Sequence, residues 1–403
     1  MLQRQHLSLA IVCPLMVGLA SPAWAQSGDT LTLNAALTQQ TDNNLFRLSD
    51  ATLANLPAGI PTAAESISVS SVGLNLNKAY SLQRLELTVN FVNTQFKNFG
   101  FLDSVSSNYD AAWRWSITPR FKGNLSAQRN ETLNSFADFQ NISQRNQRTN
   151  KNTRFDAAYD VGAEWQLLAG VARSSQTNEQ AVLDQGDFTT EAADSGIRFS
   201  YASGSSLTYS LTRTNGTYLN RVLSPANLQD IAFNQNDQTL RLRWAISEKT
   251  VANISVAHIN RTHPNFASRN YKGLTASANF NWNVSAKTAL TASLARELSS
   301  YQTFNANFAQ KDRFSLGPTW QISPKAVIRL RHDIAQTSYR GTLSGTSPDS
   351  RADTTHDSSV SFDWQPHQRL TLSASLQKAT RDSNITGLDY SSTLATVSAQ
   401  FNF

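Results

Sequence analysis

Arg241 and Arg243 stand two residues apart, and Arg329 and Arg331 repeat that spacing. On an extended strand, residues i and i+2 point to the same side, so each pair sets two guanidinium groups on one face. Guanidinium pairs well with carboxylate, and rings of Arg and Lys around a passage select anions. Anion binding is the chemistry these residues offer. Catalysis has little support. His263 and His356 fall in long polar stretches, His367 in a short turn, and His258 and His332 share the parity of apolar neighbours. His356 and Asp357 are adjacent, and adjacent side chains on a strand point oppositely. A hydrolase needs its His beside a nucleophile or a carboxylate. No Gly-rich phosphate loop, zinc spacing or calcium loop occurs. We expect no catalytic residue, no cofactor and no metal site. The basic residues are spread evenly, which argues against nucleic-acid binding.

The elements that must position these groups alternate with period two. Leu240, Leu242, Trp244 and Ile246 alternate with Arg241, Arg243 and Ala245. Ala276 to Val284, Val360 to Trp364 and Leu370 to Leu376 follow the same rule, as do Trp113, Trp115 and Ile117. Each run of about 9–12 residues matches one tilted membrane-crossing strand. Short turns fall near residues 79, 118, 163, 203, 248, 286, 324 and 366, and longer polar stretches such as Glu131–Lys151, Gly216–Asn236 and Tyr339–Asp353 lie between them. Eight short turns join sixteen strands, and one strand at each end makes eighteen. The expected fold is all-β: a closed antiparallel transmembrane barrel of about 18 strands, with short periplasmic turns and long extracellular loops. Propellers and solenoids share a repeat of roughly forty residues but lack one long loop per unit.

Composition points the same way. Of 403 residues 16% are charged, against about 25% in ordinary soluble domains, and mean hydropathy is −0.38. Ser, Thr, Asn and Gln fill the gap. With 20 Phe, 10 Tyr and 8 Trp the chain is too aromatic to be disordered. Residues 1–25 form a signal peptide: Arg4, an apolar run from Leu7 to Ala20, and the cleavage site Ala23-Trp24-Ala25. Residues 26–403 then form the barrel. The only Cys, Cys13, lies in the leader, so the exported chain has no disulfide. Without Arg4, 34 basic side chains exceed 29 acidic ones by five.

Trp113, Trp115, Trp165, Trp244, Trp282, Trp320 and Trp364 all lie within about five residues of a short turn. Amphipathic rings prefer the membrane–water interface, and these seven read as a periplasmic aromatic girdle. The C-terminal strand ends in Phe403, resembling the signal by which barrels are recognised by the assembly machinery of the outer membrane. Facing away from the lipid are Arg84, Arg114, Arg154, Arg198, Arg241, Arg243, Arg329 and Arg331, the candidate residues for selectivity in the lumen. Lys122 and Arg313, and the acids Glu86, Asp156 and Asp333, share that face. Either this surplus charge selects anions, or the Arg side chains pair with carboxylates that hold the wall in shape.

Several stretches resemble one family. They are Asp42-Asn43-Asn44-Leu45-Phe46-Arg47, Tyr80-Ser81-Leu82-Gln83-Arg84, the run Asn108–Asn141 containing AAWRWSITPRFKGNLSAQRNETLNSFADFQ, and Asp194–Arg221 with SGIRFSYASGSSL and TNGTYLNR. They are similar to the outer-membrane barrels associated with exosortase-linked exopolysaccharide synthesis, the EpsL-like family. The resemblance implies a channel exporting a polysaccharide, with outer-membrane lipid and periplasmic export components as partners, and it brings no site residues. A general small-solute porin, with Glu131–Lys151 folded inward, and a docking barrel plugged by its own loops are the alternatives.

Overall fold

The computed structural model describes residues 30–56, 59–137, 144–180, 186–300, 306–341 and 351–403. The expected signal peptide lies outside them. Eighteen strands follow one another: β1 (Thr30–Asp42), β2 (Glu65–Tyr80), β3 (Gln83–Phe96), β4 (Ser104–Thr118), β5 (Phe121–Leu133), β6 (Gln147–Val161), β7 (Trp165–Asn178), β8 (Phe188–Ser200) and β9 (Ser206–Tyr218) make the first half. The second half is β10 (Ala232–Ser247), β11 (Thr250–Thr262), β12 (Tyr271–Asn283), β13 (Thr288–Ser300), β14 (Phe308–Ser323), β15 (Ala326–Arg340), β16 (Ala352–His367), β17 (Leu370–Ser383) and β18 (Tyr390–Asn402). Each pairs antiparallel with its sequence neighbours, and β1 pairs with β18 from Asn34↔Asn402 to Asp42↔Leu394. Leu33 and Phe403 exchange backbone hydrogen bonds at 2.8 and 3.2 Å, which completes the seam. Closure leaves no sheet edge, the condition for strands to cross a bilayer.

Two to five residues make each of the eight short turns. Ser81 (φ 54°) and Gly162 (φ 73°) supply the left-handed backbone that such tight connections need. The nine longer connections at the other end are numbered L1 to L9 in chain order; L1 is 43–64, L2 97–103, L3 134–146, L5 219–231, L6 263–270 and L7 301–307. Strands are 13–16 residues long, beyond the 9–12 expected. They continue past the apolar band as paired ladders of polar residues, so Glu131, Lys151, Gly216 and Asn236 lie on strands, as does His356.

Alternation sorts the side chains. Leu31, Leu33 and Leu37 of β1 point outward beside Leu76, Leu74 and Ser70 of β2, while Thr30, Thr32 and Asn34 point inward. Around the wall the outward faces carry exposed Leu, Val, Ile and Phe, such as Phe91, Val171, Leu211 and Leu294. In water this would be a large liability; in a bilayer it is the lipid-facing band.

Candidate functional site in the lumen

All eight candidate arginines point into the lumen, and register decides which of them has a carboxylate. Arg154 of β6 reaches over β7 to Asp194 of β8, with Nη1 donating to Oδ1 at 2.7 Å and Nη2 to Oδ2 at 3.1 Å. The strand between offers Gly170, where a Cβ would stand 2.4 Å from Arg154 Nη2. Arg84 and Arg114 are directly opposed, and both turn their Nε to Glu86, at 3.3 and 2.9 Å. Like charges facing each other across strands are destabilising, and the shared carboxylate offsets that. Arg331 bonds Asp333 at 2.5 and 3.0 Å, Arg329 bonds Asp363, Arg313 bonds Glu297 at 3.2 Å, and Lys122 bonds Asp160 at 2.8 Å.

Three arginines depart from this rule. Arg198 on β8, Thr208 on β9 and Arg241 on β10 form one cross-strand row, and Arg243 lies one inward step nearer the short turns. Arg198 donates to Thr208 Oγ1 and Gln166 Oε1, both at 3.1 Å, and Arg241 to Ser210 Oγ at 3.3 Å. Among the described residues none of the three has a carboxylate within ion-pairing distance. Strands two apart are separated by about 9.6 Å, where two unit charges in water repel by only about 0.4 kcal/mol. A wet lumen therefore tolerates the cluster, and an anion among the three would be attracted by all of them. Gln166 also donates to Asp160 at 2.6 Å, so the Lys122–Asp160 pair holds the amide that orients Arg198.

Loops narrow the long-loop end. Leu45, Phe46 and Leu48 of L1 pack with Phe99 and Leu102 around L2, Phe136 of L3, and the inward-facing Ile67 and Phe96. Phe46 is fully buried, edge-on to Phe99 at 4.7 Å and to Phe136 at 4.8 Å. Arg47 takes a left-handed φ of 55° and is held by Asp42 at 2.8 Å. The packing of Leu45, Phe46 and Leu48 on the inward-facing Ile67 and Phe96 sets L1 inside the barrel. The root of L3 also turns inward, and Ser135 and Ala137 line a cavity of about 1470 Å³. Thr38 and Gln40 of β1, Ser255 of β11 and the inward faces of β12 to β18 complete it. The small-solute alternative has Glu131–Lys151 folded inward; residues 138–143 of that stretch lie outside the described residues, and L1 joins its root in narrowing the mouth. The signal that could have found L1 was Leu45-Phe46, an apolar pair inside a polar connection. Opposite L1, Arg221 lies over the Tyr218 ring at 3.4 Å and Arg261 over Phe233 at 4.0 Å. Buried Arg269 donates to Leu228 O and Asn227 O of L5 and to Ala306 O and Asn307 Oδ1 of L7.

Six of the seven Trp point outward and are 40–51% exposed near the short turns. Trp115 shares that outward face but is buried, lying over Gly123 and stacked on Phe155 at 5.7 Å. Among the described residues no group of three or more His, Asp and Glu could hold a metal ion.

An apolar belt around a closed wall, tryptophans at one edge and a polar interior leave one environment for this molecule. The chain is a β-barrel of the Gram-negative outer membrane. The barrel's residues 242–403 match the family described as "Putative beta-barrel porin 2". No curated protein matches the chain in sequence. Among solved structures the barrel is similar to OccK1 (OpdK) of Pseudomonas aeruginosa, with 10% identity and a TM-score of 0.52 over 93% of this chain and 99% of that one. OpdK with vanillate gives 10% identity and a TM-score of 0.51, covering 93% and 99%. OccK2 (OpdF) of the same organism, in complex with glucuronate, gives 11% and 0.51, covering 93% and 98%. At these identities the likeness is one of fold.

Proposed function

We propose that the barrel is a passive channel for small anionic, hydroxyl-rich solutes, with sugar acids as the substrate class. One observation carries this reading: Arg198, Arg241 and Arg243 face the lumen together among Thr208, Ser206 and Ser210, with no carboxylate in ion-pairing distance among the described residues. Guanidinium would take the solute's carboxylate and the hydroxyls its ring oxygens. The narrowed mouth favours small solutes over polymers. The ligands of the OpdK and OpdF structures, vanillate and glucuronate, are both carboxylates, consistent with the same chemistry on this fold. The short turns would face the periplasm, and a tag at the exposed Ala226 of L5 should be labelled on intact cells while one at Lys325 should not.

The test is reversal potential in planar bilayers at low ionic strength, where charges are felt over about 10 Å or more. Replacing Arg198, Arg241 and Arg243 with Gln should move an anion-preferring channel toward cations. Removing a whole ion pair, Arg329→Gln with Asp363→Asn, should leave selectivity in place. Equal responses would sink the assignment.

A second reading is export of an exopolysaccharide. It is favoured by where the resemblance falls: Asp42–Arg47 builds the L1 plug itself, with Asn44 and Phe46 fully buried. In that reading L1 leaves the lumen when a polymer passes. Secretion by a strain whose L1 is tethered to the wall distinguishes the two.

A further inference from the structure

The outer wall carries a charge pattern that the lumen does not explain. Just beyond the apolar band, toward the long loops, the first outward polar positions on β5, β6, β7 and β9 are cationic or lie one step from a cation. Arg173 stands directly beyond Val171, Arg213 beyond Leu211, Arg129 beyond Ala127, and Lys151 beyond Phe155 and Thr153. Arg129 and Lys151 are directly opposed in register, and Arg173 is the diagonal neighbour of Lys151, opposite Thr153. Such close like charges disfavour the wall by themselves. Only Arg129 has an ion pair, with Glu131 at 3.1 Å. Lys151, Arg173 and Arg213 are exposed and have no ion pair among the described residues, although Glu191 is the cross-strand neighbour of Arg173. Elsewhere on this rim, among the described residues, the cations stand singly, as Lys272 and Lys378 do, or are neutralised: Arg296 is bidentate to Asp312 at 2.6 and 2.9 Å.

We propose that Arg129, Lys151, Arg173 and Arg213 form a ridge that binds the phosphates of the glycolipid of the outer leaflet. The occupant follows from position and width. The apolar side chains immediately beside the ridge lie among acyl chains, so the groups at its level are lipid headgroups. From β5 to β9 the ridge crosses four strand spacings, about 19 Å, wide enough for a headgroup bearing two phosphates and too wide for one phosphate to span. Thr153, Ser175 and Asn215, on the same outward face, offer hydrogen bonds to sugar hydroxyls.

The test uses the full barrel in detergent with purified lipopolysaccharide, the same glycolipid after enzymatic dephosphorylation, and phosphatidylglycerol, read by native mass spectrometry. Intact lipopolysaccharide should be retained at least tenfold better than either of the others. The variant Lys151→Gln, Arg173→Gln, Arg213→Gln should lose most of that retention. A charge-matched variant on the far side, Lys272→Gln, Arg296→Gln, Lys378→Gln, should keep it. Equal retention by the two variants, indifference to dephosphorylation, or preference for phosphatidylglycerol would each overturn the ridge. The dephosphorylated arm uses the unaltered protein, so the result does not depend on the variants folding.

Discussion

Arg154 and Asp194 sit on strands that do not touch, and they meet through two hydrogen bonds because Gly170 leaves the space between them open. A strand interior gains nothing from a glycine's packing, so the missing side chain at 170 is best read as room for the bridge. Gly170→Val places its Cβ where Arg154 Nη2 now lies, 2.4 Å away, and forces the guanidinium into the lumen. In a wet wall such a pair is worth up to about 1 kcal/mol. Urea unfolding in lipid vesicles should show a loss of that order, with reversal potential altered as well. If neither moves, the bridge has no role in the wall.

The register of β10 is tested on the lipid side. Leu242 faces outward one step inside the Trp244 girdle; Arg costs about 2–4 kcal/mol at the bilayer midplane and less toward the interface, still a sizeable share of a typical stability. Leu242→Arg should impair assembly, whereas Arg241→Leu, one residue away on the lumenal face, should fold. Heat-modifiability on gels reads both. Two harmless substitutions would shift the strand by one residue.

How far the molecule is legible from its sequence differs between wall and site. Period-two patterning gives the strand count and the facing of every candidate arginine, because one side of each strand must meet lipid. It loses the outer strand ends, since beyond the band both faces are polar: β5 continues through Arg129–Leu133 with nothing apolar alternating. Which arginines are neutralised is not legible either. Arg154 and Asp194 are 40 residues apart, and their meeting depends on register and on a glycine in a third strand. Arg329 and Arg331 read as twins of Arg241 and Arg243, yet among the described residues the first two have carboxylate partners and the second two do not.

The L1 plug should be separable from the barrel. Phe46→Ala empties a fully buried site, a change that costs about 3–5 kcal/mol in packed cores. That cost falls on the contacts with Phe99 and Phe136 and leaves the strand ladder intact. Single-channel conductance should rise while the unfolding midpoint of the barrel stays put. Unchanged conductance would mean that L1 does not obstruct the passage.

The opposite side of the mouth should respond to acid. His263, at the root of L6, is 4% exposed, and its backbone N–H donates to Asn270 Oδ1 at 2.6 Å. Burial first, and then the neighbouring Arg261, push its imidazole down to about 4; Asp230 opposes the shift, and Arg221 and Arg269 add to it. In an opened loop the ring would titrate near 6.5. The packed form therefore holds its full advantage above about pH 6.5. It loses that advantage as pH falls toward 4, because only the opened form takes up the proton in that window, and below 4 the loss levels off. The loss reaches up to about 3 kcal/mol at 1.36 kcal/mol per pH unit, enough to loosen the stitching of L5 to L7 by Arg269. Hydrogen exchange of residues 263–270, corrected for intrinsic rate, should speed up between pH 7 and 4.5 in the native barrel. In His263→Gln, which cannot titrate, the corrected rates should be the same at both pH values. A variant that keeps the acid response would move the switch to another group.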